Sequence, residues 1–135
     1  MNEIIKIDFI EKFNTLVNGL YVMSETDAPL TPFIWKKPMP LEDANIRTKL
    51  KLAADAPIER LSIDDFFANA VTPRDWHSDE EKSTVLKFQN LVAIVKEDLQ
   101  NIQVLKINTI KRDVYILGIQ QNGSIGGLKT LVVET

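Results

Sequence analysis

The chain has 135 residues, with 16 basic and 19 acidic side chains, one histidine and a net charge of −3. That length suits a single domain, residues 1–135, and it can bury a core without disulfides or metal staples. The lack of cysteine excludes disulfides, thiol catalysis and thiolate metal sites and is typical of a reducing compartment, and the mild negative charge does not favour direct nucleic-acid binding.

The amino-terminal segment, residues 1–13, interleaves charged and apolar side chains. It therefore lacks the unbroken apolar core of a signal peptide. No run in the sequence approaches the ~20 apolar residues that a membrane-spanning helix needs. On these grounds we expect a cytoplasmic protein with no contact to a membrane.

The first predicted element is a helix over residues 8–20, because its apolar side chains recur at helical spacing. Asp8 is its predicted N-cap and Gly19 its predicted stop. Short strands are expected next, at residues 20–24 and 33–35.

Residues 46–52 read IRTKLKL, with a basic side chain at every second position. This alternation predicts a half-buried strand. Arg47, Lys49 and Lys51 would then line its outer face, where basic side chains deter pairing with another strand.

Two serines are predicted to begin the helices in the middle of the chain. Ser62, followed three residues later by Asp65, resembles a capping box and predicts a short helix. The longest helix follows the loop TPRDWHSDEE, with Ser78 or Asp79 as its N-cap and acidic residues in its first turn. Its buried stripe is expected to comprise Val85, Phe88, Leu91, Val92, Val95 and Leu99.

After Asn101 the pattern becomes that of β-structure. Strands are predicted at residues 104–108, 113–120 and 128–135, with a turn rich in Asn and Gly at residues 121–127. Helices first, antiparallel strands last and one long helix between them predict a layered α+β domain.

Patterns of catalytic chemistry are weak along the chain. His77 is the only histidine, so a Ser-His-Asp triad would have to use it, yet it lies in a charged loop. The stretch SIGGLKT lacks the spacing of a phosphate-binding loop. The acids at 64–65 and 79–81 stand at predicted helix starts, which favours capping over metal binding. The sequence does not favour an enzyme, and a metal-dependent hydrolase using Glu25, Asp27 and His77 is kept as an alternative.

Three other features raise the question of a partner. Glu25 and Asp27 lie together at the edge of an apolar segment. Trp76 sits among charged residues, where it is either half-buried packing or an interface anchor. The β-pattern of the last segment runs to the final residue, and chain ends are ordered when tied into a sheet. We therefore expect the α-carboxylate of Thr135, next to Glu134, to be held at the rim of the sheet.

Three blocks of the sequence are specific in combination. They are GLYVMSETDAP, then DFFANAVTPRDWHSDEE with the following KFQNL, and finally DVYILG through TLVVET. In this order, and over nearly the whole chain, they resemble the bacterial nuclease A inhibitor family. Residues 36–57 follow the family pattern weakly, and His77 stands where an aromatic residue is expected. The resemblance implies an α-β-α sandwich with a largely antiparallel central sheet.

The resemblance also implies a function. Proteins of this family are small cytoplasmic inhibitors that block a sugar-non-specific DNA/RNA endonuclease of the ββα-metal type. By this likeness, Glu25 would approach the catalytic Mg²⁺ of the nuclease, an ion that prefers hard oxygen ligands. Asp75 and Trp76 match a second contact loop, and the α-carboxylate of Thr135 matches a third. A 1:1 complex is expected, with no catalytic activity, cofactor or metal belonging to the inhibitor itself.

One further alternative stays open, a non-catalytic binding module that has the same fold but a different partner. An inhibitor would need a stoichiometric target and would show no turnover. A hydrolase would show turnover alone.

Overall fold

The computed structural model describes the backbone of residues 2–135 and the side chains from residue 9 onward. It contains a five-stranded sheet, a two-stranded hairpin and helices on both faces of the larger sheet. The helices are α1 (Asn2–Val17), α2 (Asp43–Lys49), α3 (Ile63–Phe66) and α4 (Asp79–Asp98). The strands are β1 (Tyr21–Met23), β2 (Asp27–Pro29), β3 (Thr31–Trp35), β4 (Ile58–Leu61), β5 (Gln100–Ile107), β6 (Lys111–Ile119) and β7 (Ile125–Val133).

The larger sheet has the strand order β3-β7-β6-β5-β4, and every neighbouring pair is antiparallel. β1 and β2 form a separate antiparallel hairpin. Lys111 pairs with Val133 at one end of the larger sheet, and Ile119 pairs with Ile125 at the other. We refer to the first of these as the Val133 end, because it carries the candidate site.

One face of the sheet is covered by α1, α3 and α4. Successive side chains of a strand point to opposite faces, so Val104, Val114 and Leu128 reach this face from three different strands. All six side chains of the apolar stripe predicted for α4 are buried, so that prediction is confirmed, and all of them except Val85 belong to the core on this face.

The opposite face packs against α2, through the fully buried Ile46. Leu105, Tyr115 and Ile125 meet it from β5, β6 and β7. β6, the middle strand of these three, is buried on both faces from Val114 to Gly118, which is why that stretch has no polar side chain other than the Tyr115 hydroxyl. The three layers confirm the predicted α+β class and the α-β-α sandwich with an antiparallel central sheet.

The strand predicted at residues 46–52 is wrong, because α2 occupies residues 43–49. Ile46 and Leu50 are four residues apart, so the same sequence also places its apolar side chains on one side of a helix. Lys51 ends this region with a φ of 56°. Arg47 donates hydrogen bonds to the Ala56 carbonyl oxygen and does not lie on the outer face of a strand.

α1 begins at Asn2, so the predicted N-cap at Asp8 is also wrong and this residue lies inside the helix. Ile5, Phe9 and Phe13 are spaced four residues apart, and the helical pattern therefore extends upstream of the predicted start. The predicted stop is confirmed, since α1 ends at Val17 and Gly19 adopts a φ of 78°.

The turn predicted at residues 121–127 is shorter than expected, because β7 already begins at Ile125. Gly126 and Gly127 lie within that strand. A Cβ atom on Gly127 would collide with the carbonyl oxygen of Ile116 on β6. This glycine therefore permits a close approach of two strands rather than a turn.

The predicted start of α3 is confirmed, because Ser62 Oγ accepts a hydrogen bond from the Asp65 N–H at 3.0 Å. Over residues 2–135, none of the helices combines the length and the apolar character needed to cross a bilayer.

Candidate functional site

The loop of residues 24–26 is bound to the last residue of β7. Ser24 Oγ accepts a hydrogen bond from the Val133 N–H at 3.0 Å, and the Ser24 hydroxyl donates to the Thr26 carbonyl oxygen at 3.0 Å. The Glu25 N–H donates to the Val133 carbonyl oxygen at 3.2 Å. Both backbone groups of Val133 are thus bound by this loop, which fixes the backbone of Glu25 at the Val133 end.

The side chain of Glu25 reaches Thr135. The Thr135 N–H donates to Glu25 Oε2 at 2.6 Å, and the Thr135 hydroxyl oxygen lies 2.7 Å from each carboxylate oxygen. Both residues are exposed, although they stand 110 positions apart in the chain. β7 ends at Val133, so the strand predicted to run to Thr135 is too long. Contact with Glu25, rather than the sheet ladder, holds Thr135. We refer to this pair as the Glu25–Thr135 corner.

Glu134, the residue before Thr135, is held by basic side chains. Its Oε1 accepts a hydrogen bond from Lys106 Nζ at 2.9 Å and lies 3.7 Å from Arg112 Nη1. Its N–H donates to the Ile110 carbonyl oxygen at 2.9 Å. The hydrogen bond from Lys106, together with the nearby positive charges, holds the pKa of Glu134 below its usual range.

Two exposed apolar side chains flank the corner. Met23, directly before Ser24, is 80% exposed, and Ile110, which accepts the Glu134 N–H, is 57% exposed. Exposed apolar groups beside charged groups are typical of protein interfaces. The sequence reasoning missed both residues and also Ser24, because none of them departs from the local pattern of a strand end or a turn.

Trp76 is 78% exposed, so the interpretation as half-buried packing is wrong. The loop around it is closed by local bonds, in which the Arg74 N–H donates to His77 Nδ1 and the His77 N–H donates to the Arg74 carbonyl oxygen, each at 3.1 Å. The imidazole therefore serves as a hydrogen-bond acceptor that closes the loop. Asp75 is exposed beside Trp76.

Ser78 caps α4 immediately after this loop. Its Oγ accepts from the Glu81 N–H at 3.1 Å, and Glu81 Oε1 accepts from the Ser78 N–H at 2.9 Å. This reciprocal pair is a complete capping box, so Ser78 rather than Asp79 is the N-cap. The hydrogen bond from the Ser78 backbone lowers the pKa of Glu81. The direction of the chain leaving the Trp76 loop is thereby fixed.

The Trp76 loop and the Glu25–Thr135 corner lie at the same end of the sheet. α4 joins β5 directly at Leu99, and β5 then runs toward the Val133 end. The 20 residues of α4 span about 30 Å, close to the length of a strand such as β5. Because α4 packs along the face of the sheet that it shares with α1 and α3, its N-terminus returns to the Val133 end. Of the predicted residues, Glu25 and Thr135 are joined by hydrogen bonds, and Asp75 and Trp76 stand on a separate loop.

Among the residues that the structure describes, no group of three or more His, Asp or Glu side chains is arranged to hold a metal ion. Glu25, Asp27 and His77 therefore do not assemble the centre that a metal-dependent hydrolase would require. A hollow of about 450 Å³ lies beside Ile119, at the opposite end of the sheet. Glu25, Asp75, Trp76 and Thr135 are instead exposed, as suits contact with the surface of another molecule.

The sequence profile of the Nuclease A inhibitor-like protein family matches residues 7–135, nearly the whole chain. A search of curated proteins gave no match. The matched region contains both exposed loops of the Val133 end and also residues 36–57. The family indicates a non-catalytic role as a nuclease inhibitor, with a nuclease as the protein partner. The chain belongs to the nuclease A inhibitor-like family.

Proposed function

We propose that this protein inhibits a sugar-non-specific, Mg²⁺-dependent endonuclease of the ββα-metal type by binding over its active site as a 1:1 complex. One observation carries the proposal. Glu25 and Thr135, from distant parts of the chain, meet by hydrogen bonds of 2.6–2.7 Å at an exposed corner. A carboxylate that is both exposed and held in place is suited to enter a partner's site.

The chemistry of the target explains why a carboxylate serves. Mg²⁺ prefers hard oxygen ligands, and a nuclease active site is built to receive the oxygens of a phosphate. In the proposed complex, the Glu25 carboxylate takes the place of a phosphate and offers no bond to cleave. The hydroxyl and α-carboxylate of Thr135 add further oxygens beside it. The Mg²⁺ belongs to the nuclease, and the inhibitor needs no cofactor.

A second contact is proposed at the Trp76 loop. Trp76 is 78% exposed and supplies apolar area, while the neighbouring Asp75 is exposed to meet basic side chains of the nuclease. Tryptophan is enriched among the residues that dominate binding energy at protein interfaces. Because this loop lies at the Val133 end, one nuclease can contact it and the Glu25–Thr135 corner together.

Met23 and Ile110 extend the proposed surface around the corner. Both are more than half exposed; Met23 directly precedes Ser24, and the Ile110 carbonyl oxygen accepts the N–H of Glu134, the residue before Thr135. Apolar side chains around a charged contact exclude water from it, which strengthens the electrostatic interaction inside. The proposed interface thus has charged groups for the metal site and apolar groups around them.

A stoichiometric titration tests the proposal. The protein is added to a fixed concentration of a ββα-metal nuclease, at a concentration well above the dissociation constant, and cleavage of both DNA and RNA is measured. Activity should fall linearly to zero at one inhibitor per nuclease, and the protein alone should cleave neither substrate. Undiminished cleavage at excess inhibitor would overturn the proposal and favour a binding module with another partner. Turnover by the protein alone would favour a hydrolase.

A further inference from the structure

We propose that Ser24 is a positioning residue that joins Glu25 and Thr135 into one rigid unit before any partner is bound. The consequence for nuclease binding rests on the proposed function. The positioning itself is a property of the free protein and can be tested without a partner.

The hydroxyl of Ser24 uses its full hydrogen-bonding capacity. A serine hydroxyl has one donor and two acceptor sites. Ser24 Oγ accepts from the Val133 N–H at 3.0 Å and from the Thr26 N–H at 3.4 Å, and it donates to the Thr26 carbonyl oxygen at 3.0 Å. The side chain therefore connects the loop to β7 and also closes the turn of the loop.

The position of these bonds on β7 explains how they reach Thr135. β3 pairs with β7 only as far as Thr31 and Lys129, so the edge of β7 beyond that point is not covered by β3. In an extended chain, the N–H groups of residues i and i+2 point to the same edge. Ser24 binds the N–H of Val133, and the Glu25 carboxylate binds the N–H of Thr135, two residues further on.

Consecutive residues of the loop therefore bind alternate N–H groups of one chain edge. The Glu25 N–H adds a third bond, to the Val133 carbonyl oxygen at 3.2 Å. If the Ser24 bond to Val133 is lost, the loop can move away from β7 and the Glu25 carboxylate loses its alignment with Thr135. Ser24, which has no charge and is only half-buried, thus controls the geometry of two exposed groups.

Such an arrangement favours binding because it is formed in advance. Ordering a flexible glutamate and a residue beyond the end of a strand on association costs conformational entropy. In this protein both groups are ordered by contacts within the chain. A partner that needs the two groups at a fixed separation therefore binds the free protein without reorganising it.

The first experiment measures amide hydrogen exchange in the free protein. Ser24→Ala should accelerate exchange at Thr135 by about tenfold, as expected when the loss of a hydrogen bond removes a constraint. Thr135 is the informative amide, because it is bonded to Glu25 and not to Ser24. Ser24→Thr keeps the hydroxyl and should restore slow exchange. Ser83→Ala is the matched control, since Ser83 is exposed on α4. It should leave the exchange rate at Thr135 unchanged.

Ser24→Cys covers the case in which the alanine variant does not fold. It keeps the size of the side chain and weakens its acceptor, so exchange at Thr135 should be faster than in the wild-type protein and unfolding should be unaffected. If exchange at Thr135 is unchanged in the folded alanine or cysteine variant, Ser24 does not position the corner and the inference is overturned.

The second experiment is a double-mutant cycle on the inhibition constant for a ββα-metal nuclease. Ser24→Ala should raise this constant about tenfold in the wild-type background and less than about twofold in a Glu25→Ala background. Additive effects would mean that Ser24 acts independently of Glu25, which contradicts positioning. A wild-type protein that does not inhibit would refute the proposed function, and the exchange experiment would still decide the role of Ser24.

Discussion

The Glu25–Thr135 corner and the Trp76 loop are both exposed at the Val133 end, but they are held by different kinds of contact. The corner is made by hydrogen bonds between residues 110 positions apart. The Trp76 loop is closed by hydrogen bonds between Arg74 and His77, three positions apart, and continues into the capping box of α4. The proposed interface thus combines a long-range contact with a local one.

This difference has consequences for mutation. The local contacts of the Trp76 loop survive as long as α4 keeps its cap, so a change of the indole should remove contact area and leave the loop in place. The corner depends on mutual bonds, so a change in Glu25 also releases Thr135. We expect the corner to be the more sensitive half of the proposed interface.

The largest effect is expected for Glu25→Ala. It should weaken nuclease inhibition at least about 30-fold, since truncating a charged group buried in an interface typically costs about 2 kcal/mol or more. The free energy of unfolding should change by only about 0.5 kcal/mol, because the residue is exposed. Inhibition assays and urea unfolding measure the two quantities. Asp27→Ala, two residues away and exposed, is the control and should inhibit as the wild type does.

Trp76→Ala should give the next largest effect, a loss of inhibition of about tenfold as apolar contact area is removed. Its melting temperature should stay unchanged because the indole is 78% exposed. Leu86→Ala is a matched control, since Leu86 is 64% exposed on α4. If Trp76→Ala and Leu86→Ala weaken inhibition equally, Trp76 is not a specific contact and any exposed apolar side chain would have the same effect.

A smaller effect is expected at Thr135. Thr135→Val removes the hydroxyl that donates to Glu25 and should weaken inhibition about threefold, in line with the loss of one hydrogen bond at an exposed site. Thr135→Ser keeps the hydroxyl and should behave as the wild type. Amidation of the α-carboxylate, measured in the same assay, separates the contribution of the charge from that of the hydroxyl. If none of these changes alters inhibition, Glu25 acts without Thr135.

The smallest effect concerns stability in acid. The pKa of Glu134 is lowered mainly by its hydrogen bond from Lys106, so its contribution to folding is present above the ordinary glutamate value of about 4.3 and is lost as pH falls through the lowered pKa. Glu134→Gln should therefore lower the free energy of unfolding at pH 7 slightly. Urea unfolding should show that the difference from the wild type disappears in strong acid. A constant difference at every pH would exclude this ion pair as the cause.

The sequence predicts the local features of this fold well, because their determinants are close together in the chain. Ser78 and Glu81 are three residues apart, and the buried stripe of α4 follows from spacing alone. Segment 46–52 shows where this reasoning stops. Its alternating apolar side chains fit a half-buried strand, while the four-residue spacing of Ile46 and Leu50 fits a helix. Burial of Ile46 against the sheet favours the helix.

The candidate site also has features that the local sequence predicts and contacts that it does not. Glu25, Asp75, Trp76 and Thr135 are predicted from the sequence one by one, through their resemblance to family blocks, and their role in binding stays a prediction. The bond between Glu25 and Thr135 could not be predicted, because no sequence spacing relates residues that far apart. Ser24 was missed because it fits the local pattern of a turn, while its bond to Val133 joins residues 109 positions apart.

The most direct test of the account places a paramagnetic ion in the nuclease active site. Mn²⁺ replaces the catalytic Mg²⁺, ¹⁵N-labelled inhibitor is bound, and the broadening of each amide signal is measured relative to the Mg²⁺ complex. If Glu25 and Thr135 approach the metal, their amide signals should broaden most, and signals at the opposite end of the sheet, for example at Asn122, should stay sharp. Sharp signals at Glu25 and Thr135 in a complex that broadens other residues would contradict it.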